Sequence, residues 1–237
     1  MRLDKYLCEN NYFTSRNKAV YSIENGLVLV NDKVQKKVSF DVKDTDQITI
    51  LGEMEYVSRG GFKLKEALTK FEINLENKKC LDIGISTGGF TDCMLKNNAS
   101  QVIGIDTGTN QVHESILNNK NVTVYENTSF LDLDKDFFKE KIDFISIDVS
   151  FISLKKIMAH LNNLFEGVEI VALLKPQFEV GKVYMKNGVV KSSKVHKEVL
   201  DDTILFLKDL NFKILGVIES PILGGSGNKE FLLYIRR

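Results

Sequence analysis

Cys80-Leu-Asp-Ile-Gly-Ile-Ser-Thr-Gly-Gly89 is the stretch on which the fold turns. A short apolar run carries Asp82 and breaks into a turn containing Gly84, Gly88 and Gly89. That pattern reads as a buried strand ending abruptly, with a helix following from Phe90. Glycines there let the backbone approach a ligand closely, and the amides of the helix start face the same crevice. Twenty-two residues after Gly84 a second apolar run, Val102-Ile-Gly-Ile-Asp106, also ends in a carboxylate. Strand, glycine-rich turn, helix, strand, acid is the layout that holds an adenine nucleoside, the second acid being placed for ribose hydroxyls. A nucleoside cofactor is therefore expected.

Its identity follows from a departure. A dinucleotide fingerprint reads G-x-G-x-x-G, whereas this chain has Asp82-x-Gly84-x-Ser86-x-Gly88, with an acid two residues before the first glycine. A pyrophosphate is repelled by that carboxylate, while the ammonium of a methionine moiety is attracted to it. S-adenosylmethionine is thus favoured over a nicotinamide cofactor. Asp82, Gly84, Ser86, Thr87, Gly88 and Asp106 form the candidate cofactor set. A tight turn without a ligand, and a solvated strand end at Asp106, are the plainer readings of the same residues.

Outward from this motif, apolar β-rich runs recur at 80–85, 102–106, 122–125, 142–149, 168–174, 213–218 and 231–235, with helical stretches between most of them, including 62–71, 90–98 and 194–210. Alternation of this kind predicts an α/β fold with a mostly parallel sheet covered on both faces. The last two runs are joined by 221–228, too short for a crossover helix, so the final strand is expected to be antiparallel. Seven strands with the last antiparallel is the Rossmann-like architecture of S-adenosylmethionine-dependent methyltransferases. The catalytic domain is expected over 60–237 and a smaller α+β domain over 1–55, joined near 51–59.

Composition sets the outer bounds. Hydrophobic residues at 43% and charged residues at 27% of 237 describe a globular protein. With 32 basic and 32 acidic residues, nucleic-acid affinity has to come from local clustering. Cys8, Cys80 and Cys93 are scattered without a CxxC pair, which argues against a disulfide framework and a metal site and suits a reducing cytoplasm. No run approaches about 18 apolar residues, so no membrane span is expected.

The first 50 residues follow another pattern. Leu3, Tyr6 and Leu7 share a helical face. Thr14-Ser15 offers an N-cap for a second helix that stops at Asn25-Gly26, before Leu27-Val-Leu-Val30 and Gln47-Ile-Thr-Ile-Leu51. Residues 1–40 hold Arg2, Lys5, Arg16, Lys18, Lys33, Lys36 and Lys37 against four acids. A solvated surface explains such a set; so does RNA, and Arg16 and Lys18 in the first turns of a helix favour phosphate. Arg2-Leu-Asp-Lys-Tyr-Leu, Ser15-Arg16 with Ala19, and Asn25-Gly-Leu-Val-Leu-Val-Asn31 resemble the RNA-binding module named after a small-subunit ribosomal protein. Arg2, Lys5, Arg16, Lys18 and Lys33 are the RNA-binding candidates.

Four further residues stand where folding alone does not demand them. Lys63 follows Ser58-Arg-Gly-Gly-Phe62, Asp148 ends Phe144-Ile-Ser-Ile, Lys175 ends Val171-Ala-Leu-Leu and precedes Pro176, and Glu230 opens the last strand. Strand ends of an open α/β sheet form the ligand crevice, so Asp148 and Lys175 are expected to face it, with Glu230 arriving at the same edge on the antiparallel strand. Taken singly, Lys63 reads as a solvated helix start and Asp148 as a turn former. Lys175, after four aliphatics, must reach water or a partner at once. The order Lys-Asp-Lys-Glu is similar to the tetrad of 2′-O-ribose methyltransferases, and the resemblance, rather than the spacing, gives the four a joint role. A ribose hydroxyl is a poor nucleophile, and a lysine serves as its base only when its pKa is drawn below about 10.4. By this reading Lys175 is the base, Lys63 assists and positions the ribose, and Asp148 and Glu230 orient the two amines.

Ser58-Arg-Gly-Gly-Phe-Lys-Leu64, Asp82 to Thr91, Asp148-Val-Ser-Phe-Ile-Ser-Leu154, Leu174-Lys-Pro-Gln-Phe-Glu179 and Gly225-Ser-Gly-Asn-Lys-Glu230 together resemble the TlyA family, historically called hemolysin A. The resemblance covers the whole chain and implies 2′-O-methylation of a cytidine in 23S rRNA, in 16S rRNA as well for longer members, acting on rRNA or an assembled subunit. Without extensions at either end, the chain is expected to be of the 23S-only type. The resemblance also implies that Asn127 and Asp148 border the adenosyl group, that Phe151 packs on the cofactor, and that capreomycin-type susceptibility is affected. His113, His160 and His196 are read as packing or surface residues, and 179–194 as a mobile RNA-contacting loop. Rival readings are a pore former, which no spanning segment or strongly amphipathic basic helix supports, a non-catalytic RNA-binding protein, and a tRNA methyltransferase.

Overall fold

Val171-Ala-Leu-Leu174 and, apart from Ser146, Phe144-Ile-Ser-Ile147 are apolar on both strand faces, and a strand of that kind is stable only in the middle of a covered sheet. The computed structural model places them there; it describes residues 1–52, 55–224 and 227–237. Glu53 and Met54 of the expected join, and Gly225 and Ser226 of the last motif, lie outside the described residues. The chain divides into two compact units, Met1–Arg59 and Gly60–Arg237.

In the first unit, helices α1 (Leu3–Glu9) and α2 (Arg16–Glu24) accompany strands β1 (Val28–Val30), β2 (Lys33–Val34) and β3 (Ile48–Ile50), which pair in the antiparallel order β2-β1-β3. Ser15 caps α2, its side chain accepting from the Lys18 amide. Leu3, Leu7, Ala19, Ile23, Val28, Val30 and Val42 form a core of its own.

The second unit runs α3 (Gly60–Lys70), β4 (Lys79–Ile83), α4 (Gly89–Lys96), β5 (Gln101–Ile105), α5 (Glu114–Leu117), β6 (Val122–Tyr125), β7 (Phe144–Ile147), α6 (Leu154–Leu164), β8 (Glu169–Leu174), α7 (Pro176–Glu179), β9 (Met185–Lys186), β10 (Val189–Val190), α8 (Ser193–Asp209), β11 (Lys213–Glu219) and β12 (Phe231–Arg236). Seven strands form one sheet in the order β11-β12-β8-β7-β4-β5-β6. β4 to β8 are parallel, and β12 is inserted antiparallel between β8 and β11. Between β6 and β7 the chain makes two 3₁₀ turns, Phe130–Asp132 and Lys135–Phe137. Leu81, Ile83, Ile145, Ile147, Ile170, Leu174, Leu233 and Ile235 anchor the sheet side of the main core. Each such buried aliphatic stabilises by about 1.5–3 kcal/mol.

The strand order fixes where a ligand goes. The chain winds β4 to β6 toward one edge, then returns to β7 and winds toward the other, so the crevice opens beyond the carboxyl ends of β4 and β7. Gly84 leaves β4 there at φ 87°, and a Cβ on it would lie 2.5 Å from the carbonyl oxygen of Asp148. Only glycine permits that approach of the two strand ends.

Candidate active site

The crevice holds a cavity of about 410 Å³ bordered by Gly84, Ser86, Asp106, Gln111, Asp148 and Phe151, among others. Asp106 ties its two glycine-containing loops together. One carboxylate oxygen accepts the Ser86 amide at 2.8 Å and the other accepts the Gly108 amide at 2.8 Å. Each oxygen retains a lone pair directed elsewhere, which is what a diol recognising acid needs. Ser86 sits at φ 47° and Phe151 at φ 64°, both in the left-handed region that residues with a Cβ rarely adopt. Phe151 is 92% exposed, so neither the backbone cost of about 1–3 kcal/mol nor the exposed ring serves the core. Strain of this kind concentrates where a ligand is bound.

Not every expected cofactor residue reaches the cavity wall. Asp82 is fully buried: its carboxylate accepts from Thr91 Oγ1 at 2.7 Å and Ser146 Oγ at 2.8 Å. Burial pushes its pKa up to about 6 against those two donors. The expected direct contact with a ligand ammonium is thus corrected to a place beneath the turn, because both carboxylate oxygens are engaged by α4 and β7. Thr87 accepts the His113 amide through its carbonyl, Gly88 is the N-cap of α4, and Asn127 is exposed at φ 50° with its amide on Gly108. None of these three borders the cavity. Gln111, Thr128 and Ser129 do, and the sequence reading passed over them.

The four residues named as a tetrad meet as two ion pairs. Lys63 Nζ donates to Glu230 Oε2 at 2.6 Å, and Lys175 Nζ lies 2.6 Å from Asp148 Oδ1, off the angle of a hydrogen bond. Lys63, Lys175 and Glu230 are buried, and Asp148 is half-buried. Topology explains the gathering: Phe231 lies opposite Leu174, which sets Glu230 beside Lys175, and β7 delivers Asp148 from the other side of β8. Gly224 presses on the pair from outside, since a Cβ there would meet Glu230 Oε1 at 2.3 Å.

Two further residues complete the cluster. Lys175 also donates to Ser150 Oγ at 2.9 Å, and Gln177 Nε2 donates to Glu230 Oε1 at 3.4 Å. Each stands two positions after a tetrad residue, Ser150 after Asp148 and Gln177 after Lys175. That spacing is the signal that would have found them. Asp148 and Ser150 belong at once to the cavity wall and to the lysine cluster.

Arg2 and Arg16 of the first unit converge on Asp4, which is fully shielded from solvent. Arg16 Nε donates to Asp4 Oδ2 at 2.6 Å and Arg2 Nε to Oδ1 at 3.0 Å. Burial raises the Asp4 pKa, but the two guanidiniums outweigh it and hold the carboxyl below its usual range. Both arginine side chains stay more than half exposed, so the acid fixes them in place at the surface. Lys5 pairs with Glu9 on α1, Lys33 is exposed on β2, and Lys18 borders a separate cavity with Tyr12, Phe13 and Thr14.

The three histidines make capping and packing contacts. His113 caps α5, His160 Nε2 meets the Leu133 carbonyl oxygen, and His196 packs edge-on near Phe231. Among the described residues no His, Cys, Asp or Glu cluster fits a metal, and no helix is long and apolar enough to cross a membrane.

The chain is similar to known proteins over its whole length. Residues 56–237 match the FtsJ-like methyltransferase family and residues 1–48 match the S4 domain. Hemolysin A of Brachyspira hyodysenteriae is 39% identical over 237 residues, 99% of each chain. The 23S rRNA (cytidine-2′-O)-methyltransferase TlyA of Campylobacter jejuni is 38% identical, covering 99% of this chain and 98% of its own. Its 16S/23S counterpart from Mycobacterium tuberculosis is 34% identical, covering 99% and 89%. A hemolysin-named structure from Streptococcus thermophilus superposes at TM-score 0.78 with 39% identity, over 100% of this chain and 88% of that one. Aeropyrum pernix fibrillarin, solved with S-adenosylmethionine, shares the fold alone, at TM-score 0.50 and 16% identity over 73% of this chain and 74% of its own. With a methyltransferase domain over 56–237 and full-length relatives on both sides of the TlyA and hemolysin A names, the chain belongs to the FtsJ-like, S-adenosylmethionine-dependent methyltransferase family in its S4-bearing, TlyA/hemolysin A form.

Proposed function

We propose that the chain methylates the ribose 2′-hydroxyl of a cytidine in 23S rRNA, with the methyl group taken from S-adenosylmethionine. The observation that carries this reading is the sharing of Asp148 and Ser150 between the cavity wall and the Lys175 cluster. A nucleoside cofactor in the cavity and an acceptor hydroxyl at the lysines are then neighbours through one strand end. The 23S target is the one that the Campylobacter and Mycobacterium relatives' names have in common.

The residues fit such a cofactor. Asp106 has free lone pairs for a diol, Gly84 opens the strand end, and Phe151 offers an exposed ring at the rim. S-adenosylmethionine, when bound, supplies an electrophilic methyl on a sulfonium. This chain's part is to deliver the nucleophile. Lys175, in its neutral form, takes the 2′-hydroxyl proton, while Asp148 and Ser150 hold the amine on the cavity side. Lys63, fixed by Glu230 and through it by Gln177, orients the ribose. Alignment of the reacting atoms supplies a further part of the rate. Arg2, Lys5, Arg16, Lys18 and Lys33 serve phosphate contacts, supported by the more than half exposed side chains of Arg2 and Arg16.

The test is transfer from labelled S-adenosylmethionine to undermethylated ribosomal subunits and to separated rRNAs. Label at a 23S ribose that vanishes in Lys175→Ala is the expected result. Transfer to tRNA alone would move the substrate, and cofactor binding without transfer to any RNA would overturn the assignment.

A further inference from the structure

Residues 180–197 hold Lys182, Lys186, Lys191, Lys194 and Lys197 and no carboxylate, in a chain that carries 32 basic and 32 acidic residues overall. From sequence a mobile RNA-contacting loop is expected over 179–194; in the structure this segment contains a short hairpin. A 3₁₀ turn over Lys182–Tyr184 leads into the hairpin β9–β10, with Met185 opposite Val190 and Lys186 opposite Val189. Asn187 at φ 53° and Gly188 at φ 77° supply the two-residue turn that suits the twist of paired strands.

A side chain from elsewhere locks this hairpin. Asn228 is 2% exposed; its Oδ1 accepts the Val190 amide at 2.9 Å and its Nδ2 donates to the Gly188 carbonyl at 3.0 Å. Asn228 stands two residues before Glu230, and the arm's other root is α7, which starts directly after Lys175. The arm therefore leaves the chain just after Lys175, and the side chain that locks it belongs to the segment that leads into Glu230.

Its outer surface is made for a polyanion with unstacked bases. Lys182, Lys186 and Lys191 are exposed and have no ion-pair partner among the described residues, whereas Lys194 and Lys197 face Glu198 and Asp201 one turn along α8. Val183 and Tyr184 are 87% and 55% exposed between the first two lysines. Lysines alternating with an exposed aromatic ring are the elements that track a single strand, phosphates on the cations and a base on the ring.

We propose that this hairpin is an RNA-docking arm that grips unpaired nucleotides flanking the target, a role that rests on the RNA methyltransferase reading and extends it. The experiment compares wild type, a triple Lys182/Lys186/Lys191→Gln variant, its Lys→Arg counterpart, Tyr184→Ala and Tyr184→Phe. Filter binding to a 23S rRNA fragment is measured across salt, together with KM in methyl transfer. For the Gln variant the expected result is a salt slope smaller by about two and a KM higher by at least about tenfold, with S-adenosylmethionine affinity retained. The Arg counterpart restores both. Tyr184→Ala weakens RNA binding at least about fivefold and Tyr184→Phe does not. An unchanged slope and KM in the Gln variant would overturn the proposal. So would unchanged RNA affinity alongside lost sedimentation with anionic phospholipid vesicles, which would make the arm a membrane contact. If wild type transfers no methyl to any RNA, the reaction reading fails, yet the salt slope of binding still decides for or against the arm.

Discussion

Lys63 Nζ and Glu230 Oε2 lie 2.6 Å apart across 167 residues of sequence, with side chains 10% and 3% exposed. Removing one partner of such a pair strands the other's charge away from water, at a cost of about 3–5 kcal/mol, while replacing both is far milder. Glu230→Gln is therefore expected to destabilise more than Lys63→Met/Glu230→Gln together. Urea unfolding of the two single variants and the double variant reads the coupling. Additive losses would mean that the pair carries no mutual stabilisation. All three variants are expected to lose methyl transfer, because the ribose-orienting amine or its support is gone.

Lys175 separates two roles that an alanine substitution confounds. Lys175→Arg keeps a cation beside Asp148 but puts a guanidinium, which does not deprotonate in proteins, where the base belongs. Methyl transfer is expected to fall by at least about a hundredfold while the melting temperature stays near that of wild type. Retained activity in the Arg variant would reduce Lys175 to an ion-pair partner. Ser150→Ala, which removes the second acceptor of the same ammonium, is expected to shift the pH profile of kcat rather than abolish turnover.

The residues that the sequence discloses are those whose places depend on strand ends. Gly84, Asp106, Asp148, Lys175 and Glu230 each adjoin an apolar run, and in a wound sheet every such end falls at one edge. What stayed hidden depends on partners brought by packing. Asp82 was read as facing a ligand, yet Thr91 and Ser146 reach it from α4 and β7 and close it off. The hairpin within 179–194 is not legible in the segment itself, because the side chain that holds it, Asn228, is 38 residues from Val190. The stretch between β6 and β7 carries no helix period, and the structure fills it with two 3₁₀ turns.

Asp82 has a consequence for stability against pH. Burial raises its pKa from 3.8 to about 6, with the nearby Asp148 charge adding to the rise and the two hydroxyl donors opposing it. Between about pH 4 and 6 the folded protein holds a proton that the unfolded chain has released, so stability falls as pH rises through that window. Relative to Asp82→Asn, wild type is expected to lose about 2 kcal/mol from pH 4 to pH 7. Urea midpoints of both proteins along that range measure the difference, and a constant difference would show that the buried carboxyl titrates at its ordinary value.

Glu169 presents the opposite sign at the far edge of the same sheet. It opens β8, where Lys78 Nζ and Tyr234 Oη each donate at 2.6 Å and Arg236 Nη2 donates at 2.7 Å. Burial pushes the carboxyl up, but the three donors outweigh it and bring it from 4.5 down to about 2. The unfolded chain binds a proton first as pH falls, so this contribution is whole above about pH 4.5 and is lost progressively toward pH 2. Glu169→Gln is expected to cost about 2 kcal/mol at pH 7, somewhat less than the full shift because the cluster is partly solvated, and to cost nothing near pH 2. The same variant offers an internal check. Tyr234 is pushed up to about 12 by burial and by the Glu169 carboxylate, so neutralising that carboxylate is expected to bring the phenol back toward 10 in an ultraviolet titration. A tyrosine that titrates unchanged would separate the stability loss from the charge and assign it to packing at the β8–β12 edge.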